Sequence, residues 1–409
     1  MRAGAFLYPW DVVGDPDAAA RLAGLGIQQV TLASAYHSTR ALTPRHPRHR
    51  IVTARHAAVL YPPDPARWAG RALRPATQDW TAGPDPFGTA ARALADAGLE
   101  VHTWVVLAHN SRLGAAHPSA VVRNAYGDPY PWAPCIARPE VREYLVDLAA
   151  EAAVRPGARG TELESCGWYG LAHLHAHDKT AGVVLSGAAQ YLMSVCFCTV
   201  CAAGYTRLGL PAREVRAAVV RALEPHWAGA RPAPADRAGE WAAVEEQLGA
   251  EPAGVLRTWR DGAAAALRRQ AVGAVRQAAA EGFRVLLHAD PAAHRCGADA
   301  GADPAGALAV ADGVVLPCTG DAAARAAVLG PFAARPAGAG EAVVAANFTV
   351  VSGLGGSPGS LAADAAHAAS LGANALRLYH AGLASDRDLA AVRDGLREIG
   401  DTSGTGPAC

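Results

Sequence analysis

The amino-acid sequence predicts an α/β fold, a (β/α)8 TIM barrel with a helical insertion between strands 4 and 5. Two observations predict it. Short apolar runs rich in β-forming residues alternate with Ala-, Leu- and Arg-rich segments of helical period, which is typical of repeated βα units around a parallel sheet. Eight such runs can be counted, and eight strand–helix units make a TIM barrel. The length of 409 residues accommodates one barrel with insertions.

Each strand is predicted from an apolar run and each helix from the periodic segment that follows. In chain order the predicted strands are Gly4–Tyr8, Ile27–Ala33, Glu100–Leu107, Gly160–Glu164, Arg284–His288, Gly313–Pro317, Ala342–Asn347 and Ala373–Tyr379. The predicted helices between them include Pro16–Leu25, Gly88–Ala97, Pro139–Ala153, Ala323–Leu329 and Leu361–Leu371. Several of these segments are followed by a glycine, the residue that commonly ends a helix.

Two intervals are too long for a simple βα loop. Residues 43–86, rich in Pro, Arg and His, predict a long loop or lid. Residues 196–282 predict a cysteine loop followed by helices at Pro211–Leu223 and Glu240–Ala280. Because the barrel cannot close without its last four strands, we expect an insertion here and a single domain over residues 1–400. Residues 401–409 predict a disordered tail.

Composition excludes several classes of partner. The 37 basic and 37 acidic residues cancel, so there is no basic excess to neutralise the phosphates of a nucleic acid or to favour a charged membrane surface. No apolar run reaches the roughly 18 residues of a membrane helix, and the first apolar run is too short for a signal peptide. We therefore expect a cytoplasmic protein that binds a small molecule or an oligosaccharide. A homo-oligomer stays open, and no organic cofactor is expected.

Aromatic and histidine side chains concentrate after the predicted strands, where TIM-barrel enzymes build their sites. Only 6% of the residues are aromatic, so this concentration is informative. Flat aromatic faces beside short polar groups suit a ring that carries hydroxyls. Tyr8 and Trp104 are expected to cap the barrel core instead. The predicted substrate-binding residues are Trp10, Tyr36, His37, His109, Asn110, Trp168, Tyr169, His177, His288, Asn347, Tyr379 and His380.

Carboxyl groups at the same end indicate glycosidic bond hydrolysis, which usually needs one protonated and one ionised carboxyl. Glu164 is the candidate acid because it ends the fourth apolar run. Burial of its carboxyl group against Trp168 or Tyr169, which follow shortly in the chain, would raise the pKa of Glu164. Glu162 lies on the same face of the strand and can be structural. For the second carboxyl, Asp290 is favoured over Asp178 and Asp321.

Lys179 is the only lysine in a chain that otherwise uses arginine. Codon bias explains the arginines, but an ammonium group is compact and its pKa moves readily, so this position can be catalytic. With His177, it would orient the substrate or tune Glu164. One alternative makes Lys179 the Schiff-base nucleophile of an aldolase or lyase. Another makes His173, His175, His177 and Asp178 a catalytic metal site.

A cysteine cluster predicts a metal site of a different kind. Cys196, Cys198 and Cys201 form a C-x-C-x-x-C motif, whose spacing can turn three thiolates toward one tetrahedral Zn²⁺ at about 2.3 Å. Cys135, which precedes a predicted helix, is the expected fourth ligand. Buried, reduced cysteines without a metal are the alternative.

The order of these motifs resembles glycoside hydrolase family 42, the β-galactosidases. The resemblance covers roughly the first half of the chain, through Tyr8-Pro9-Trp10, His117-Pro118, Asn124-Ala125-Tyr126-Gly127-Asp128, Pro134-Cys135, Pro139-Glu140-Val141-Arg142, Glu164 and the C-x-C-x-x-C motif. It implies that Glu164 is the general acid/base and that Cys135, Cys196, Cys198 and Cys201 hold a structural zinc.

Two departures from that family limit what the resemblance implies. Leu163 stands where the family has an Asn directly before its Glu, and the segment Ala346–Val350 at strand seven has no carboxylate where the family has its nucleophilic Glu. The sequence therefore predicts a glycoside-processing enzyme with Glu164 and a second carboxylate, Asp290 favoured. The alternatives are a catalytically inactive carbohydrate-binding barrel and the Lys179 aldolase or lyase.

Overall fold

The computed structural model describes residues 1–171, 178–230, 237, 239–333 and 342–404, without the side chains of 402–404. Eight parallel strands form a closed barrel, since each strand pairs with the next one and the eighth returns to the first. The predicted barrel is therefore confirmed. The strands are β1 (Arg2–Leu7), β2 (Gln29–Tyr36), β3 (Glu100–Val106), β4 (Ala158–Glu164), β5 (Arg284–Asp290), β6 (Gly313–Pro317), β7 (Val343–Thr349) and β8 (Ala375–Tyr379).

Helices connect the strands and cover the outside of the barrel. The connecting helices are α1 (Ala18–Ala23), α2 (Pro86–Asp96), α3 (Ser111–Ala116), α4 (Pro139–Ala153), α5 (Gly187–Met193), α6 (Thr199–Arg207), α7 (Ala212–Trp227), α8 (Glu240–Leu248), α9 (Ala250–Ala278), α10 (Pro304–Val310), α11 (Ala322–Ala333) and α12 (Leu361–Ser370). The five helices α5–α9 lie between β4 and β5, where the insertion was predicted. The last of them, α9, packs against α4 and so takes the place of a barrel helix.

Alternate strand residues fill the inside of the barrel, as the period of two requires. Phe6, Trp104, Leu286 and Val315 are buried there in one apolar cluster. The interior also holds a buried arginine, Arg377. The barrel makes room for it at Gly4, where an added Cβ would lie only 3.3 Å from the arginine side chain. With a larger residue than glycine, the arginine side chain would have to shift by a few tenths of an ångström.

The predicted long loop between β2 and β3 is structured. Strands Thr39–Leu42 and Ile51–Ala54 form an antiparallel hairpin, and Ala58–Val59 pairs with the end of β2. Three groups of the segment donate hydrogen bonds to Glu151 of α4: the Tyr61 hydroxyl, the Trp68 indole and the Asp64 amide. The segment thus pairs with the end of β2 and is fastened to a barrel helix.

The final helix α13 (Asp386–Gly404) continues past residue 400. It therefore includes the first residues of the segment predicted to be a tail, and residues 405–409 lie outside the described part of the chain. Within the described residues, no helix combines the length and apolar character that crossing a membrane requires.

Candidate active site

Glu164 is the last residue of β4, and its side chain points into the barrel mouth. Only 3% of that side chain is exposed. The indole Nε1–H of Trp104 donates a hydrogen bond of 2.8 Å to Glu164 Oε2. Burial raises the pKa of Glu164 to about 7, although the charge of His288 and the indole hydrogen bond act in the opposite direction. A glutamic acid with this pKa can hold a proton near neutral pH.

Aromatic side chains surround Glu164. Tyr36, Tyr169 and Tyr379 all have pKa values raised by burial first, and the negative charge of Glu164 comes next among the causes. The three phenol groups therefore lie close enough to the Glu164 carboxylate for its charge to affect their pKa values. Trp104 completes the group, with its ring centroid 4.7 Å from that of Tyr36. The structure thus brings together Glu164, Tyr36, Tyr169 and Tyr379 as the sequence predicted. It adds Trp104, which had been expected only to cap the core.

Glu162 has a different environment from Glu164. Its Oε1 accepts a 2.6 Å hydrogen bond from Arg377 Nε and a 3.2 Å bond from the Gln29 amide. Burial raises the pKa of Glu162, but the charges of Arg377, His288 and His102 outweigh burial and hold it below its usual range. This carboxylate is therefore ionised inside the barrel and paired with an arginine, as a structural group would be.

His288 lies among three carboxyl groups. Its Nδ1 is 3.5 Å from Asp299 Oδ1 and 4.0 Å from Glu164 Oε2, and its Nε2 is 3.8 Å from Glu162 Oε2. Burial lowers the pKa of His288, but these neighbouring acids outweigh burial and the net shift is upward. His288 therefore tends to carry a positive charge between the carboxylates.

Asp299 is the acidic residue of this site that the sequence did not predict. It lies on the loop after β5, which two backbone hydrogen bonds join to the loop after β4: Ser165 N to Ala298 O at 2.8 Å, and Gly297 N to Trp168 O at 2.9 Å. Ser165, directly after Glu164, adopts φ of +56°, a rarely populated conformation outside glycine. Directly after Asp299, Ala300 and Gly301 form a short strand that pairs with the end of β5.

Asp290 ends β5 but has other partners. Its Oδ2 is paired with Arg237, and its Oδ1 accepts a 2.8 Å hydrogen bond from the Ala292 amide. One oxygen is therefore engaged by an arginine of the insertion between β4 and β5, and the other by the loop that follows β5. The charge of Asp299, and not of Asp290, is among the causes of the raised pKa of Glu164.

A line of polar groups crosses the barrel mouth beside the aromatic side chains. The Tyr8 hydroxyl donates to the Tyr36 hydroxyl at 2.9 Å and lies 3.1 Å from His380 Nδ1. His380 has a φ of +62°. Burial and the charge of His37 lower the pKa of His380 to about 3. The ring is therefore neutral at ordinary pH and can either donate or accept a hydrogen bond.

Three further predicted residues also lie at this end of the barrel. His109 stacks on Tyr169 with ring centroids 4.5 Å apart, and His37 meets His109 edge to face at 4.8 Å. Asn347 lies two residues before the end of β7 and is 7% exposed. Its side-chain Oδ1 is buried and has no hydrogen-bond partner within the described residues. A buried amide oxygen without a partner is costly, so this position is suited to a ligand hydroxyl.

Three other predicted substrate-binding residues are engaged or buried within the protein, and their substrate-binding role stays a prediction. Asn110 is the N-cap of α3, because its Oδ1 accepts from the Leu113 amide at 2.9 Å. The Trp168 indole donates to the Arg260 carbonyl and lies under the Arg260 guanidinium. Trp10 is 1% exposed and stacks on Tyr8 at 4.4 Å. The polar groups of Asn110 and Trp168 therefore have protein partners, and Trp10 is buried beside Tyr8.

The loop after β4 contains the remaining predictions. Lys179 is exposed and precedes the short 3-10 helix Thr180–Gly182. An exposed ammonium lacks the desolvation that a Schiff-base lysine needs. His173, His175 and His177 lie outside the described residues, so the substrate-binding role of His177 and the histidine metal site stay predictions.

The four predicted cysteine ligands come together. Cys135 Sγ lies 3.7 Å from the Sγ atoms of Cys196, Cys198 and Cys201, and all four sulfurs are buried within 4.8 Å of one another. Cys198 is the N-cap residue of α6 and Cys201 lies in its first turn. Amide groups at a helix N-terminus favour thiolates. The cluster can therefore hold a metal ion.

Comparison with known proteins places the fold. No protein-family model and no curated protein matches the sequence. Among solved structures, the α-L-fucosidase isoenzyme 2 of Paenibacillus thiaminolyticus is similar with a TM-score of 0.55 and 12% identity, over 98% of this chain and 49% of that one. The β-galactosidase of Marinomonas ef1 is similar with a TM-score of 0.55 and 11% identity, over 98% of this chain and 60% of that one. The catalytic domain of Paenibacillus polymyxa β-amylase is similar with a TM-score of 0.55 and 12% identity, over 98% of each chain.

These similarities show a shared TIM-barrel fold. The chain spans about half the length of the fucosidase and 60% of the β-galactosidase. At 11–12% identity the comparison does not extend to substrates, and function must be argued from the side chains of this chain.

Proposed function

We propose that this protein is a glycoside hydrolase that acts on a neutral glycoside or oligosaccharide, with Glu164 as the general acid/base. One observation carries the proposal: a glutamic acid at the end of β4 that is buried among aromatic side chains and has a pKa of about 7. A leaving alkoxide needs a proton at neutral pH, and an acid with a pKa near the working pH supplies it best.

The hydrogen bond from Trp104 orients the acid. Because Nε1–H donates to Oε2, we place the proton of the neutral carboxyl on Oε1. Oε1 would then face the glycosidic oxygen of the substrate. The half-buried ring of Tyr379 offers an apolar face to the C–H groups of a sugar, and the Asn347 amide offers an acceptor for a hydroxyl.

The shared fold with a β-galactosidase supports this class of reaction, and we extend the proposal to a relationship with glycoside hydrolase family 42. Asn347 is the position at which this chain departs from the mechanism of that family. It stands near the end of β7, where that family has its nucleophilic glutamate, and an amide cannot attack an anomeric carbon. The mechanism must therefore use a different second carboxyl. Asp290 was favoured from the sequence, but Arg237 and the Ala292 amide hold both of its oxygens.

For the cysteine cluster we propose a structural zinc held by Cys135, Cys196, Cys198 and Cys201. Four sulfurs at about 2.3 Å from a tetrahedral Zn²⁺ lie about 3.8 Å apart, and Cys135 Sγ is 3.7 Å from each of the other three. The ion would join the strand Pro129–Pro134 to the start of α6. Its four ligands leave no open position, so we assign it no step of the reaction.

The direct test is a screen of aryl glycosides and neutral oligosaccharides with the wild type and Glu164→Gln. We expect the wild type to release the aglycone from at least one sugar, and the variant to lose 10²–10⁴-fold in kcat on substrates with poor leaving groups. Equal activity of the two proteins would remove Glu164 from the mechanism. Calorimetric binding of a sugar without turnover would favour the inactive carbohydrate-binding barrel instead.

A further inference from the structure

We infer that Asp299 is the second carboxyl group of this site and is the base that activates the attacking water. The inference rests on the proposed hydrolysis and goes beyond it, since it assigns a residue and a stereochemical outcome. The sequence pattern did not point to Asp299.

The first argument is position. The Asp299 loop is joined to the residues that follow Glu164 by the hydrogen bonds Ser165 N to Ala298 O and Gly297 N to Trp168 O. Glycine is required at Gly167, because an added Cβ would approach the Ala300 Cβ to 2.6 Å. The two loops therefore lie in direct contact, and Asp299 is placed relative to Glu164 by backbone rather than by a mobile side chain.

The second argument is distance. Asp299 Oδ1 and Glu164 Oε2 lie 3.5 Å and 4.0 Å from the same atom, His288 Nδ1. The two oxygens are therefore no farther apart than the sum of these distances, 7.5 Å. Carboxyl groups of glycosidases are separated by about 5–5.5 Å when the enzyme retains configuration and by about 6.5–9.5 Å when it inverts. This bound includes the retaining distance and the lower part of the inverting range, so the choice of inversion rests on the access of Asp299 to water.

The third argument is access to water. The Asp299 side chain is 27% exposed, whereas the side chains of Glu164 and Asp290 are 3% and 7% exposed. A base for water must be reached by water and must be ionised. Asp299 satisfies the first condition, and His288 Nδ1, 3.5 Å from Asp299 Oδ1, is a neighbour that can pair with a carboxylate. The buried Glu164 is suited to the opposite role, the acid.

The reaction then balances as a single displacement. Water forms a bond from its oxygen to the anomeric carbon and gives one proton to Asp299. The glycosidic C–O bond breaks, its electron pair moves to the leaving oxygen, and that oxygen takes the proton of Glu164. Asp299 returns its proton to solvent and Glu164 is reprotonated, so one water is consumed without oxidant or reductant. The sugar is released with inverted configuration.

The experiment compares two glycosides of the sugar that the wild type prefers, one with a phenyl and one with a 2,4-dinitrophenyl leaving group. The base is needed for both, so Asp299→Asn should lower kcat by about 10²–10⁴-fold on both. The acid is needed mainly for phenol, so Glu164→Gln should lose far more on the phenyl glycoside. The matched control is Asp303→Asn, an exposed helix cap on the same connection, which should keep wild-type activity.

Two further measurements make the test decisive. Proton NMR of the first-formed product should show inversion by the wild type. Asp299→Ala with added azide should yield a glycosyl azide, because azide attacks without a base. Retained configuration, or Asp299→Asn within fivefold of the wild type while Glu164→Gln is impaired, overturns the inference alone. The inference is also overturned if Asp290→Asn lowers kcat on both glycosides and Asp299→Asn does not. A wild type that hydrolyses no glycoside overturns the proposed function, and the inference with it.

Discussion

The indole nitrogen of Trp104 lies 2.8 Å from Oε2 of Glu164, so a residue of β3 holds the carboxyl group at the end of β4. Parallel register makes this possible, because Val106 of β3 is paired with Glu164 and Trp104 lies one inward-facing position below. The same tryptophan packs edge to face against Phe6 at 4.7 Å. The acid is thereby held by a side chain that is itself fixed in the barrel core.

Trp104→Phe should move the alkaline limb of the pH–rate profile upward. The indole hydrogen bond lowers the pKa of Glu164, and a hydrogen bond to a charged group contributes about 1.5 kcal/mol. Its loss should raise the pKa by about one unit. The measurement is kcat/KM against pH. Trp68→Phe is the control, since it removes an indole–carboxylate bond at Glu151, and its profile should follow the wild type. An unmoved limb in Trp104→Phe contradicts the assignment of this limb to Glu164.

Glu164→Gln should remove a pH dependence of stability. The pKa of Glu164 is about 7 in the folded chain against 4.5 as its ordinary value. Between these values the unfolded chain is ionised while the folded chain keeps its proton, so the wild type loses stability as pH rises. Between pH 5 and pH 8 its free energy of unfolding should fall by about 2.5 kcal/mol relative to Glu164→Gln.

Urea unfolding of both proteins at several pH values measures this difference. Glu246→Gln is the control, because Glu246 is exposed on α8. It should track the wild type at every pH. A constant difference between the wild type and Glu164→Gln would mean that Glu164 titrates near its ordinary value, and the main argument for a general acid would be lost.

The sequence predicted the barrel and much of its mouth because both follow from local patterns. Apolar runs of period two mark strands, and the C-terminal ends of parallel strands meet at one rim. Tyr36, Glu164, His288 and Tyr379 could therefore be grouped from strand ends alone. The four cysteines could be grouped from their spacing and from the order of neighbouring motifs.

The sequence could not show partners that are distant in the chain or that lie in a loop. From the sequence, Asn110 and Trp168 looked available for a substrate. In the structure, Asn110 caps α3 through the Leu113 amide, and the Trp168 indole donates to the Arg260 carbonyl of α9. Asp299 was missed because it lies nine residues beyond the end of β5. Its place beside Glu164 depends on backbone hydrogen bonds between the two loops, such as that from the Ser165 amide to the Ala298 carbonyl. Backbone hydrogen bonds of this kind cannot be predicted from the types of the side chains.

Cys198→Ser should remove the metal and lower thermal stability. The proposed zinc is closed by four thiolates, and loss of one ligand weakens both binding and the link between the Pro129–Pro134 strand and α6. We expect about one zinc per chain in the wild type, much less in the variant, and a Tm lower by several degrees. Elemental analysis and calorimetry measure these effects. Cys318→Ala, a buried cysteine elsewhere, should keep its zinc. A wild type without zinc contradicts the proposal.

Arg377→Met should destabilise the barrel more than removal of a surface arginine. Arg377 is 2% exposed and is paired with the fully buried Glu162 at 2.6 Å. Its loss leaves an uncompensated carboxylate inside the barrel, which costs about 3–5 kcal/mol. Urea unfolding near neutral pH measures the loss. The control, Arg257→Met, breaks an exposed i,i+4 pair with Asp261 and should cost less than about 1 kcal/mol. The double variant Glu162→Gln/Arg377→Met should recover part of the stability, because the unpaired charge is removed with its partner. A double variant no more stable than Arg377→Met would mean that the arginine acts through packing, and that the charge of Glu162 is compensated by His288 and Gln29 alone.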